Sequence, residues 1–179
     1  MPCATWMTKV SGRVLGAGVV FVAAAGSALG VAGSAHAATT CSAPPGAEAS
    51  IVQIQGSEGC GANTDTTGAA WSHGSGGVGF ADAKDGSTVV AAGADGGVGA
   101  GESRGGQLAA VGFGAEALAL GVLDNPATAV VVAGPQSQAY VGDVDDPILC
   151  EGDMASAVNF TTGRGCAVFG SWRYVSPAS

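Results

Sequence analysis

The chain has 179 residues, 47% of them hydrophobic and 32 of them glycine, with 14 acidic residues against six basic ones. Two basic residues, Lys9 and Arg13, precede the first acid, Glu48, so residues 38–179 hold all 14 acids, four basic residues and a net charge of −10. That balance excludes an ordinary nucleic-acid or anionic-membrane binder, the hydrophobic content excludes a typical disordered chain, and the length suits one ordinary domain.

Residues 1–37 read as a secretory signal peptide. Lys9 and Arg13 supply the positive start, and residues 14–32 form an uncharged apolar run. Ala35 and Ala37 then stand at the small-residue positions that a signal peptidase needs, which places cleavage after Ala37. The competing reading is an uncleaved anchor, since the run approaches spanning length. Its Gly and Ala content and the good cleavage site argue for cleavage. The expected location is therefore secreted or cell-envelope associated, with no membrane span after cleavage.

Residues 38–70 form a first segment. Its start is extended, residues 51–54 are a short strand, and residues 57–69, rich in Gly, Asn, Asp and Thr, read as loop. Residues 71–143 form a Gly/Ala-rich repetitive tract. Short apolar runs centred on Val78, Val89, Val98, Leu108, Leu118, Val130 and Tyr140 recur at roughly every tenth position. Each run is closed by Gly or Asp, the pattern of serial short strands. A helix across residues 108–122 would carry Gly112, Gly114 and Gly121, each costing about 1 kcal/mol relative to alanine. Residues 144–179 form the last segment, with strands at 148–150, 155–160 and 166–169 and a hairpin turn at Gly163-Arg164-Gly165. Trp172 and Tyr174 are expected to pack over the core. The three segments together make one domain, 38–179.

The fold class is all-β. Two arrangements fit the ten-residue spacing: a β-solenoid of stacked coils or an antiparallel sandwich. Val130-Val131-Val132 is apolar on both faces, and such a strand needs cover on both sides.

Cys3 leaves with the signal, and Cys41, Cys60, Cys150 and Cys166 remain. An even number in an exported chain reads as a disulfide framework. Short loop closure favours Cys41–Cys60 and Cys150–Cys166. The pairing that ties the two ends together stays open. A zinc site is disfavoured, because no close Cys pair exists and only one histidine, His73, follows position 37.

For catalysis, His73 is the one candidate base, and it reads as an exposed loop histidine in a flexible Gly/Ser-rich stretch without a Gly-x-Ser-x-Gly elbow. No catalytic residue is assigned, so the expectation is a non-enzyme, with a hydrolase of unrecognised type as the alternative. No cofactor-binding motif is present either, since the glycine runs lead into no Lys-Ser/Thr pair. Calcium is the remaining chemical candidate. Asp143, Asp145, Asp146, Glu151 and Asp153 crowd five hard-oxygen side chains into one short stretch. The EF-hand pattern fails there, and a turn cluster explains the same residues.

Val-Gly-Phe-Gly-Ala-Glu-Ala-Leu-Ala-Leu-Gly at residues 111–121, with Ala-Tyr-Val-Gly at 139–142, resembles the head repeats of trimeric autotransporter adhesins. That resemblance implies a parallel β-roll completed by trimerisation. The glycine spacing departs from it, since Gly112, Gly121, Gly134 and Gly142 are unevenly separated. As a whole the chain resembles a family of small secreted actinobacterial proteins of unknown function. The matching features are the Ala/Gly-rich signal, Cys-Ser-Ala-Pro-Pro-Gly at Cys41, Gly-Cys-Gly-Ala at Cys60 and Leu-Cys-Glu-Gly at Cys150. This second resemblance implies export and two disulfides, and no catalytic residues. The expected function is a secreted, non-catalytic cell-envelope or extracellular structural or interaction protein. Its partner is unknown, and homo-oligomers through the small-residue strand faces are an extension of the same idea.

Overall fold

The computed structural model describes residues 38–177. The expected signal peptide, 1–37, lies outside the described residues. Fifteen strands make up the described chain. The first four are β1 (Ala38–Ala43), β2 (Ala49–Gln55), β3 (Glu58–Thr64) and β4 (Ala69–Ser75). The middle of the chain holds β5 (Val78–Lys84), β6 (Thr88–Ala94), β7 (Val98–Arg104), β8 (Gln107–Phe113), β9 (Leu118–Leu123), β10 (Thr128–Ala133) and β11 (Gln138–Val141). The last four are β12 (Leu149–Glu151), β13 (Met154–Asn159), β14 (Arg164–Phe169) and β15 (Trp172–Val175).

From β3 to β11 consecutive strands alternate between two sheets, and each pairs in parallel with the strand two places on. Hairpins would place consecutive strands side by side in one sheet. The fold is therefore a β-solenoid, and the sandwich is set aside. Val78, Val98, Leu118 and Gln138 align in one sheet, so each step between them is one full coil. Ala69, Thr88, Gln107 and Thr128 align in the other sheet. The ten-residue spacing of the sequence is half a coil.

The turns explain why the chain can change sheets so tightly. Asp85-Gly86 and Asp95-Gly96 both place two successive residues in the left-handed region. Glycine enters it freely and Asp tolerates it better than most residues.

The two sheets approach closely because the interior side chains are small. The inward row runs Gly74, Gly93, Gly112 and Ala133, and its three glycines face the backbone of the other sheet closely. A Cβ on Gly93 would overlap the Val78 carbonyl oxygen, and one on Gly112 would overlap that of Val98. Elsewhere one large side chain serves two coils. Leu108 fills the space above Gly101 and Gly121, where added Cβ atoms would lie 2.9 Å from Val89 and 2.6 Å from Leu108.

A solenoid needs covered ends. At the first end β1 lies antiparallel on β4, and β2 antiparallel on β3. At the second end β12 covers β11, and the meander β13-β14-β15 extends from β10. Both disulfides sit in these caps and cross between the sheets: Cys41 on β1 to Cys60 on β3, and Cys150 on β12 to Cys166 on β14. The pairing favoured by loop length is the one found. The roll buries its core within a single chain.

Three expectations are corrected. Residues 57–69 are not a loop throughout, since β3 occupies seven of them. Its outward positions 59 and 61 are glycines, so the strand shows no apolar pattern, while Cys60, Ala62 and Thr64 point inward and are buried. The stretch around His73 is strand β4 rather than a flexible loop. Trp172 and Tyr174 do not cover the core: they are 54% and 51% exposed. Strand β15 pairs only with β14 at the sheet edge, past the point where the opposite sheet ends, so it has no interior to fill.

Candidate functional site

Thr40 and His73 are cross-strand partners between β1 and β4, and the register brings Thr40 Oγ1 to 3.0 Å from His73 Nδ1. The pair is exposed, and no carboxylate hydrogen-bonds the ring among the described residues. A nucleophile–base–orienter set is therefore not assembled at His73.

The five calcium candidates are spread along the second cap. Asp143 Oδ2 accepts from the Asp124 amide at 2.9 Å and from Asn125 Nδ2 at 3.2 Å, and Asp146 Oδ2 accepts from the Asp143 amide at 3.0 Å. Arg164 donates to the Val144 and Asp146 carbonyls. Glu151 and Asp153 are exposed. Among the described residues no three His, Cys, Asp or Glu side chains are grouped to hold a metal ion, Asp145 included. Asp143 and Asp146 instead satisfy loop backbone groups, which is what Asp commonly does in turns. Burial first, then the carboxylates of Asp146, Asp143 and Asp124, holds the nearby Tyr140 phenol above its ordinary range.

Asp65 does the same work at the other end. Its Oδ2 accepts from the Asp85 amide at 2.7 Å, one coil further on. Its Oδ1 accepts from the Thr67 and Gly68 amides, each at 2.7 Å. These bonds, that from Asp85 first, then Thr67 and Gly68, hold its carboxyl well below the usual carboxylate range. A lowered carboxyl stabilises the fold above its unfolded pKa, about 4, and that support is lost as pH falls toward the folded value. Asp65→Asn is expected to melt lower at pH 7 and to show a shallower loss of Tm between about pH 5 and pH 2. Parallel acid limbs for the two proteins would refute the role.

Exposed apolar side chains gather elsewhere, on the outer side of the eight-stranded sheet. Register places Trp71, Val90, Ala109, Val130 and Val158 in one row across five strands of the eight-stranded sheet. A second row runs beside it through Ala92, Val111 and Val132. No outward position on β4, β6, β8, β10 or β13 is Asp, Glu, Lys or Arg. The acids instead crowd the turns at the two rims, where Asp85, Asp95, Glu116 and Asp124 stand between strands. Arg104, itself half-exposed, lies 3.6–3.8 Å from Asp85, Glu102 and Asp124. Ion pairs so exposed contribute little to stability. Among the described residues, charged turns thus border an uncharged outer face of the eight-stranded sheet.

Residues 6–169 match a family of unknown function, DUF6764. The chain belongs to that family. No curated protein and no solved structure matches it. Among the described residues of this DUF6764 chain no helix is long and apolar enough to cross a membrane.

Sequence reasoning missed the apolar rows of this DUF6764 member. Val130 is one of the ten-residue markers, but Val90 and Ala109 stand one residue past the markers Val89 and Leu108, on the opposite face of their strands, and Trp71 and Val158 lie outside the marker series. The first four follow one another at 19, 19 and 21 residues, each step about one coil, and that recurrence is the signal that points to the row.

Proposed function

We propose that this protein is an exported, non-catalytic interaction module of the cell envelope or extracellular space, working through the outer face of its eight-stranded sheet. The observation that carries the reading is the uncharged row from Trp71 to Val158 on a strongly acidic chain. Trp71, Val90 and Val130 are each more than a third exposed. Contiguous apolar patches of a few hundred Å² on soluble proteins commonly mark interaction sites. The two disulfides support an exported location. The partner presents an apolar surface of its own.

Val90→Lys with Val130→Lys puts two charges on this face at positions already open to water. The double variant is expected to fold and keep both disulfides. It should be released from the envelope or from high-mass assemblies that hold the unaltered protein in producing cells. Light scattering on the purified oxidised protein separates self-association from capture by a different partner. A variant that fractionates like the unaltered protein would remove this face as the working surface.

A further inference from the structure

The inner side of the first cap holds a carboxylate without a partner. Glu58 opens β3 and shares its inward side with Cys60, Ala62 and Thr64. It is 5% exposed, and its Oε2 has no hydrogen-bond partner among the described residues. A buried carboxylate oxygen left without a donor is costly. The basic side chains do not meet that need. Lys84 and Arg104 close the far ends of β5 and β7, beside Asp82 and beside Asp85, Glu102 and Asp124. Arg164 and Arg173 belong to the second cap. His73 sits on the outer side of β4 with Thr40.

The start of β1 faces Glu58. A Cβ on Gly74, late in β4, would meet the carbonyl oxygen of Gly59, early in β3, so β4 runs against β3. Strand β1 is antiparallel to β4 and therefore runs with β3. The inward side of β1 carries Thr39, Cys41 and Ala43. The disulfide holds the Cα atoms of Cys41 and Cys60 5.6 Å apart. One inward position back along both strands, Thr39 faces Glu58. The register agrees, since Gly74, which abuts Gly59, is the cross-strand partner of Thr39. Ala38 comes next before Thr39 and is exposed, so its nitrogen is free to turn.

We propose that cleavage after Ala37 creates the partner of Glu58: the new α-ammonium of Ala38 turns in to the carboxylate and fastens the first cap. The inference rests on the exported reading above. Hydrolysis of the bond between residues 37 and 38 consumes water and leaves a carboxylate on Ala37 and an ammonium on Ala38. Before hydrolysis that nitrogen is a neutral amide. Afterwards it is a cation with several donors, which is what a buried carboxylate needs. Removing one partner of such a pair is destabilising, because the other stays buried and unpaired. The first cap thus reaches full stability only when the chain has been processed.

The test uses the oxidised protein exported by producing cells, with its start read by intact mass. Gly-Ser inserted between Ala37 and Ala38 keeps the cleavage sequence and moves the amine away. Glu58→Gln removes the charge, and a third variant combines both changes. The insertion is expected to lower Tm by about 5 °C when Glu58 is present. In the Glu58→Gln background it should leave Tm unchanged. Acetylation of the α-amine at pH 7 should run about tenfold slower in the unaltered protein than in Glu58→Gln, since a paired ammonium keeps the reactive neutral amine scarce. An insertion that costs the same in both backgrounds would show only that the start of β1 is structural, and overturns the pairing. Equal acetylation rates overturn it as well. A mass that starts elsewhere than Ala38 overturns the proposal at the cleavage site instead, which tells the two failures apart.

Discussion

Gly93→Ala is expected to be among the most damaging single-methyl additions to this protein. The new Cβ would overlap the Val78 carbonyl oxygen, carbon and nitrogen, all backbone atoms of the facing sheet. A side chain could rotate away, but a strand held in register by neighbours on both sides cannot. Overpacking a core costs typically about 1–3 kcal/mol, and a backbone obstacle belongs at or above the top of that range, about 3 kcal/mol. For a domain of this size that is a fall in Tm of roughly 10 °C. Gly59→Ala is the matched control, because it adds the same methyl at a place with room for it. Thermal melts of the two variants decide the point. A Gly93→Ala protein that melts with the control would show that the sheets can part without penalty.

Loss of either disulfide is expected to cost about 3 kcal/mol, the chain-entropy value for loops of this length. The bonds join cysteines 19 and 16 positions apart. More telling is where the loss appears. Each coil touches only its neighbours, so damage at one end need not spread at once to the other. Cys41→Ser with Cys60→Ser should raise amide exchange in β1, β2 and β3 while β7 and β9 keep their protection. Cys150→Ser with Cys166→Ser should do the same to β12 and β14. A uniform rise across all coils would mean that the solenoid unfolds as a single unit and that the caps are not separable.

The strands of the central tract were legible from residues alone. Val78, Val89, Val98, Leu108, Leu118, Val130 and Tyr140 all lie in strands. Their spacing follows from one short strand plus one tight turn. Strand β3 was not legible, because Gly59 and Gly61 remove the outward half of its alternation. Asp-Gly at 85–86 and 95–96 is ambiguous in the same way. Between apolar runs that dipeptide is a strong hairpin signal, yet here it carries the chain from one sheet to the other. Local conformation is the same in kind; the direction in which the next strand leaves depends on what it packs against. The aromatic residues misled for a related reason. Bulk suggests burial, but this interior admits mostly Ala, Gly, Val and Leu, so Trp71, Trp172 and Tyr174 are left outside. His73 and the acids at 143–153 were legible as residue types only, since cross-strand neighbours and loop amides decide what those side chains bond to.

The amino-acid sequence by itself determined the strand-and-turn rhythm, the all-β class and the small-residue strand faces, and it favoured the short-loop cysteine pairing that the structure then decided. Each is a local or compositional property: turn chemistry, alternation, loop entropy and side-chain volume. Only the tertiary structure decided that two half-coils make one coil, that the disulfides cap its ends, and that an uncharged row lies along one outer face. Those outcomes depend on parallel register between strands a full coil apart. Register is set by how whole coils stack, which no single window of the chain contains.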